Sequence, residues 1–234
     1  MAATSLTAFT PAVRIHRSLT ASAEKRLLEY LAAHTPRAIT SDHLTLLGLS
    51  AQLAAGAFYA LSRTHPLALL AVNLCILLNW LGDSLDGTLA RVRHQQRPRF
   101  GFYVDHITDL LGATALFTGL ALSGFAHWPI ALAMLVGFLL LSAESFLATH
   151  TLARFELSQF LFGPTELRLL LIAANLALLH SPYAHLPSRL FPAYRILLFD
   201  LGGAIGALSM LALAVALALR HTAQLFRAEP LPRP

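Results

Sequence analysis

Asp83, Asp86, Asp105 and Asp109 are four of the chain's twelve carboxylates, and all fall in the stretch DSLDGTLARVRHQQRPRFGFYVDHITD between two long apolar runs. If residues 79 to 91 are helical, at about 100° per residue, then Asp83, Asp86, Gly87 and Ala90 lie within an arc of roughly 100° on one face. Gly101, Asp105 and Asp109 share one stripe of a second helix in the same way. Two acidic stripes joined by a short basic loop could therefore face each other.

Carboxylates at this place are costly, roughly 2.5 to 3.5 kcal/mol each at the centre of a membrane helix, so a cluster of four needs a reason. Oxygen donors with no Cys or His at ligand spacing suit Mg²⁺ or Mn²⁺ rather than Zn²⁺. Asp83 and Asp86 are separated by about 4.5 Å along their helix axis and Asp105 and Asp109 by about 6 Å. Facing each other, the four could hold two ions about 3.5 to 4 Å apart. That arrangement can clamp a diphosphate and stabilise the charge that builds on a leaving phosphate. Gly87, Ala90 and Gly101 remove bulk from the same faces, and Arg91 with its loop neighbours can meet phosphate charge. Arg93, Arg97 and Arg99 equally suit plain anchoring on the positive side of a membrane.

The elements that must position these residues are membrane helices. Of 234 residues 56% are hydrophobic and only 12% charged, with a mean hydropathy of +0.62, against about 25% charged in a typical soluble domain. The expectation is an all-α integral membrane protein with six transmembrane helices. They cover residues 44 to 62, 66 into the acidic motif, 101 to 123, 129 to 147, 166 to 180 and 196 to 219. Each is bounded by charge, Pro or turn residues. Residues 1 to 20 read as a flexible start without the apolar core of a signal peptide. SAEKRLLEYLAAH, with Leu27, Tyr30, Leu31 and His34 along one side, reads as an amphipathic helix lying in the interface. Pro36 ends it, and Thr40, Ser41 and Asp42 are ready caps for the first span.

No linker or internal repeat divides the chain, so one membrane domain over residues 44 to 220 is expected, after a start and interfacial helix at 1 to 43 and before a tail at 221 to 234. Cys75, the single cysteine, lies inside an apolar span, which excludes a disulfide framework or a Cys-based metal site. The net charge of +5 sits beside the spans and points to anionic lipid and anionic substrates rather than nucleic acid. Counted over the loops, fourteen of the seventeen Lys and Arg fall on the side of the N-terminus and three, Arg63, Arg189 and Arg195, on the other. The positive-inside rule then puts both termini and both acidic stripes at the cytoplasmic face.

At these residues the sequence resembles the CDP-alcohol phosphatidyltransferase family, whose pattern is D-x-x-D-G-x-x-A-R, a short spacer, then G-x-x-x-D-x-x-x-D. Here it reads Asp83, Asp86, Gly87, Ala90, Arg91, nine residues, then Gly101, Asp105 and Asp109. The resemblance implies transfer between a CDP-linked alcohol and a second alcohol with release of CMP, dependent on Mg²⁺ or Mn²⁺. It also implies Asp83, Asp86 and Asp105 as metal ligands and Asp109 as a contributor to the metal site and the general base. Gly87, Ala90, Arg91 and Gly101 would form the CDP site. It implies a bacterial cytoplasmic membrane, CDP-diacylglycerol as donor and a homodimer.

For the acceptor, Arg154, Glu166 and Arg168, near FGPTELR, could hold a phosphate-bearing alcohol such as glycerol 3-phosphate or inositol phosphate, or simply cap and anchor a helix. Glu144, inside the fourth span, suits a hydrogen bond to a neighbouring helix or an acceptor role. Asp200 suits helix-start capping, and His106 a supporting place beside Asp105. Three other readings stay open: a small CDP-alcohol donating its phosphoalcohol to diacylglycerol, an intramembrane prenyltransferase with two Asp-rich motifs, and a divalent-cation transporter.

Overall fold

Proline, glycine and charge divide the apolar sequence into helices almost where the pattern predicts. The computed structural model describes residues 13–14, 21–152, 154–155, 164–180, 185–187 and 195–231. It contains helices α1 (Ala21–His34), α2 (Ser41–Ser62), α3 (Ala68–Val92), α4 (Pro98–Ser123), α5 (Trp128–Leu152), α6 (Pro164–His180) and α7 (Leu198–Ala228). Two minimal strand pairs accompany them. Val13–Arg14 (β1) runs parallel to Arg154–Phe155 (β2), and His185–Pro187 (β3) antiparallel to Arg195–Leu197 (β4). The flexible start read for residues 1 to 20 lies outside the described residues apart from β1.

α2, α3, α5 and the stretch Phe199–Ala228 of α7 are long and apolar enough to cross a membrane. α4 matches them in length, with 26 residues, but Arg99, Asp105, His106 and Asp109 dilute its hydropathy. α6 has 17 residues, with a shorter apolar segment at Leu167–His180. The protein is therefore a helical membrane protein. α7 continues to Ala228, beyond the expected boundary at 219, because Arg220 faces no helix breaker and the next proline is Pro230.

Local chemistry explains the boundaries. Thr40 caps α2: its hydroxyl accepts from the His43 N–H at 3.4 Å, and the His43 ring accepts from the Thr40 N–H at 3.1 Å. Pro98 opens α4 at its first turn and Gly124 closes it with φ 79°, the left-handed conformation that glycine alone adopts freely. Arg93, expected as a loop anchor, donates to the carbonyls of Thr35, Pro36 and Ile39 at 2.6 to 3.0 Å. It thereby satisfies the chain end beyond α1. Arg97 pairs with Asp42 and lies over the Phe100 ring.

α2 is the central element, packed against α3 on one side and α4 on the other. The crossing with α3 is made at Gly48 and Gly82, where a Cβ on Gly82 would stand 2.5 Å from the Leu44 carbonyl oxygen and 2.6 Å from the Gly48 nitrogen. Gly56 likewise meets Gly119 and Ala115 of α4 backbone to backbone. Such crossings replace the hydrophobic driving force that lipid removes with close van der Waals contact. The larger core joins Tyr59, Leu69, Val72, Ile76, Phe117, Leu120, Met134 and Phe199. A smaller one seats Leu28 and Ala32 of α1 on Leu44, Leu85 and Leu89. Leu27 and Tyr30, on the side expected to be apolar, face outward at 48% and 61% exposure, so α1 presents one face to the bundle and another away from it.

Buried polar pairs tie the remaining helices. Tyr59 donates to Asn175 at 3.0 Å, and Asn175 donates to Asn73 at 2.7 Å, pinning α6 to α2 and α3. Asp200, in the first turn of α7, accepts from the His127 N–H at 2.8 Å and meets its ring at 2.6 Å. Glu144 lies 2.5 Å from the His221 ring, so its partner is a neighbouring helix. These two pairs, at successive heights, show α5 and α7 running parallel.

Replacing Gly82 by valine forces the α2–α3 crossing apart. We expect Gly82→Val to lose about 1 to 3 kcal/mol or more, read as a lower unfolding midpoint of the full chain in detergent, whereas Gly124→Asn, in αL geometry with open space around it, keeps its midpoint nearly unchanged.

Candidate active site

The α2–α3 crossing fixes the height of α3 beside α2, and Asp83 follows Gly82 directly. α4 lies on the other side of α2, and its stripe turns toward the same point. Carboxylate oxygens of Asp83, Asp105 and Asp109 come within 4.8 Å of one another. Three hard, anionic oxygen donors at this separation fit a divalent cation.

Asp86 lines the same narrow cleft but is held toward α2. It accepts from the Thr45 hydroxyl at 2.6 Å and from the Gly87 N–H at 2.5 Å, while Ser41 donates to its carbonyl at 2.9 Å. The cleft is completed by Thr45, Gly48, Leu49, Gln52, Asn79 and Thr108. Three of the four predicted aspartates thus form one constellation, with the fourth on its wall.

The small residues Gly87 and Gly101 leave open space beside the helix backbone. A Cβ on Gly101 would meet nothing within 4 Å, and one on Gly87 only the end of the Arg91 side chain at 3.5 Å. Packing demands glycine at neither place. Ala90 is half-buried and Arg91 exposed, with its guanidinium donating to Thr88 at 2.9 Å. His106 turns away from the cleft, as its place one residue beyond Asp105 predicts. It stacks on Phe102 at 4.1 Å and meets Phe146 of α5 edge-on at 4.7 Å, and its Nδ1 is 3.7 Å from the Asp105 carboxylate.

Of the three residues expected at an acceptor site, Arg168 is the one whose side chain is described. Arg154 lies in β2 and Glu166 in the first turn of α6, and both side chains fall outside the described residues, as do residues 156–163 between them. Arg168 reaches the aspartates themselves. Its Nη2 donates to Asp83 Oδ2 at 2.7 Å and its Nε to Asn79 Oδ1 at 3.1 Å.

Several residues of this site escaped the sequence reading. Thr45, Gly48 and Gln52 form a polar stripe on one face of α2, and their three-to-four-residue spacing inside an apolar span was the available signal. Asn79 stands one turn before Asp83, donating to the Gly48 carbonyl and to Gln52 at 3.1 Å each. Glu24 of α1 accepts from Trp80 at 2.9 Å, Ser84 at 3.4 Å and Thr165 at 3.0 Å. It joins α1, α3 and α6 around the cleft, a role that no local pattern announces.

A search of curated proteins found no match to this chain. The family described as CDP-alcohol phosphatidyltransferase matches residues 38–221, a range that includes the aspartate motif, the glycine crossing and Arg168. On that match and this geometry, the chain belongs to the CDP-alcohol phosphatidyltransferase family and is a phosphotransferase enzyme.

Proposed function

We propose that the protein transfers a phosphatidyl group from CDP-diacylglycerol to a small alcohol, releasing CMP, in phospholipid biosynthesis. The observation that carries this reading is the convergence of Asp83, Asp105 and Asp109 at one cleft, beside small residues that leave the helix backbones open to a nucleotide. Asp83, Asp86, Asp105 and Asp109 are the residues that would hold Mg²⁺ or Mn²⁺, two ions in this reading, with Asp86 turning from Thr45 to contribute. The bound ions supply positive charge to the diphosphate and ease departure of CMP.

The chain's own residues do the rest. Gly87, Ala90, Arg91 and Gly101 form the CDP surface. Asp109 takes the proton from the acceptor hydroxyl, whose oxygen forms a bond to the phosphorus carrying the diacylglycerol. The bond from that phosphorus to the bridging oxygen breaks, and the electron pair leaves with CMP. Arg154, Glu166 and Arg168 receive the acceptor, which carries a phosphate of its own, as in glycerol 3-phosphate or inositol phosphate. The closeness of Arg168 to the cleft supports this part of the reading.

In this reading α2 to α7 are six transmembrane helices forming one domain over residues 44 to 220. α1 lies in the interface with Leu27 and Tyr30 toward lipid, and the tail expected from residue 221 begins as the last turns of α7. Both termini and the cleft are cytoplasmic, a placement that the distribution of Lys and Arg supports, and the bacterial cytoplasmic membrane is what the family resemblance implies. The donor's tails stay in the bilayer, and two copies of the chain pair as a homodimer.

A screen of purified protein scored by CMP release tests the substrates. Release is expected with CDP-diacylglycerol plus a phosphorylated alcohol. Release only with CDP-choline or CDP-ethanolamine plus diacylglycerol would reverse donor and acceptor, and Mn²⁺ flux into liposomes without CMP would indicate transport.

Substitutions test the roles. Asp109→Asn should lower kcat by about 10² to 10⁴-fold while Mn²⁺ binding, followed by electron paramagnetic resonance, largely persists. Asp83→Asn should weaken Mn²⁺ binding itself.

A further inference from the structure

The Arg168 guanidinium is in the wrong place for a residue that serves only an acceptor. It is bonded to Oδ2 of Asp83 at 2.7 Å, a carboxylate whose oxygens gather with those of Asp105 and Asp109. The pair is largely shielded, with 18% and 25% of the two side chains exposed, so salt screens it weakly. The geometry points to Arg168 as a resident counter-cation of the acidic cleft, one that competes with a divalent cation for Asp83 and is released toward phosphate when the cation binds. This inference rests on the reading of Asp83 as a metal ligand.

Three observations support the exchange. First, the three carboxylates repel one another, and Arg168 brings the positive charge that lets Asp83 face the other two in the structure described. Second, the guanidinium sits on a helix that is itself held fast. Thr165, one turn earlier, is bonded to Glu24 at 3.0 and 3.1 Å, and Asn175, further along, to Asn73 and Tyr59. Release therefore requires only rotation about the long arginine side chain, not movement of α6. Third, Asn79 accepts from Nε at 3.1 Å, which aims the guanidinium at one carboxylate.

A positioning role alone would have the opposite consequence for metal binding. If Arg168 merely oriented Asp83, its loss would cost the site a hydrogen bond and weaken the metal. A divalent cation held by Asp83 would meet the full positive charge of Arg168, bonded to the same carboxylate at 2.7 Å, and at such range repulsion would outweigh the orienting effect of a single bond. Removing the charge must therefore tighten the metal. The exchange also couples the two substrates' requirements: the cation that binds the donor's diphosphate frees the guanidinium for an anionic acceptor.

The test titrates Mn²⁺ against full-length protein in lipid nanodiscs, with free ion read by electron paramagnetic resonance. Arg168→Gln, which keeps the first part of the side chain and a donor but removes the charge, is expected to bind Mn²⁺ about tenfold more tightly than the unmutated protein. Arg168→Met should do the same if the glutamine variant does not fold. The gain should vanish in an Asp83→Asn background, as coupled neighbours require. In the unmutated protein, Mg²⁺ should speed exchange of the Arg168 Nε–H with water. Unchanged or weaker Mn²⁺ binding in Arg168→Gln, or unchanged Nε–H protection, would overturn the exchange. If Asp83→Asn alone leaves Mn²⁺ binding intact, the ligand reading of Asp83 fails first and takes the exchange with it. If Asp83→Asn weakens Mn²⁺ and Arg168→Gln does not tighten it, only the exchange fails.

Discussion

Like-charge repulsion within a narrow cleft between helices governs this structure. Asp83, Asp105 and Asp109 hold oxygens within 4.8 Å of one another, an arrangement that water would discourage less than helices do, because low dielectric strengthens every charge interaction. The fold meets this with rigidity and with compensating charge. Backbone contact at Gly48 and Gly82, and again at Gly56 and Gly119, leaves α2, α3 and α4 no freedom to splay and separate the carboxylates. Arg168 then brings a cation from a fourth helix to Asp83.

The surrounding polar residues serve the same end at longer range. Thr45 holds Asp86 against α2 and Asn79 bridges Gly48, Gln52 and Arg168. Gln52, Asn79, Asp83 and Asp86 are thereby each oriented by a partner on a different helix. Glu24 reaches in from α1 to Trp80, Ser84 and Thr165, and Arg93 reaches back to the end of α1. The first helix is thus fastened at both ends to the elements that carry the aspartates and Arg168. The far end of the bundle is tied separately by His127 and Asp200, so the site and the opposite end are braced by distinct polar contacts. α5 and α7 are joined a second time by Glu144 and His221, nearer the end where Phe146 meets His106.

Much of the site was legible because its chemistry is local in sequence. Asp83 and Asp86 share a helix turn, Asp105 and Asp109 another, and helical periodicity alone puts each pair on one face. Residues supplied from a distance were not legible in this way. Thr45 and Gln52 looked like ordinary members of an apolar span. Glu24 looked like the polar face of a surface helix, and Arg93 and Arg97 like unspecific positive charge. Each acquires its meaning from a partner more than forty positions away, except Gln52, whose partner Asn79 is 27 positions on. Periodicity carries no information about such pairs.

Composition and spacing by themselves determined that the chain is a helical membrane protein, where most of its helices begin and end to within a few residues, with the end of α7 the exception, and that an acidic hairpin is its chemical centre. These follow from hydropathy and from interactions within one or two helical turns. Only the tertiary structure decided that three aspartates converge while Asp86 leans on Thr45. It also decided that Glu144 pairs with His221, and that Arg168 stands against Asp83. Those outcomes depend on which helix faces are pressed together, and that choice is made by the closest backbone approaches at Gly48–Gly82 and Gly56–Gly119, contacts between residues that have no side chain to announce them.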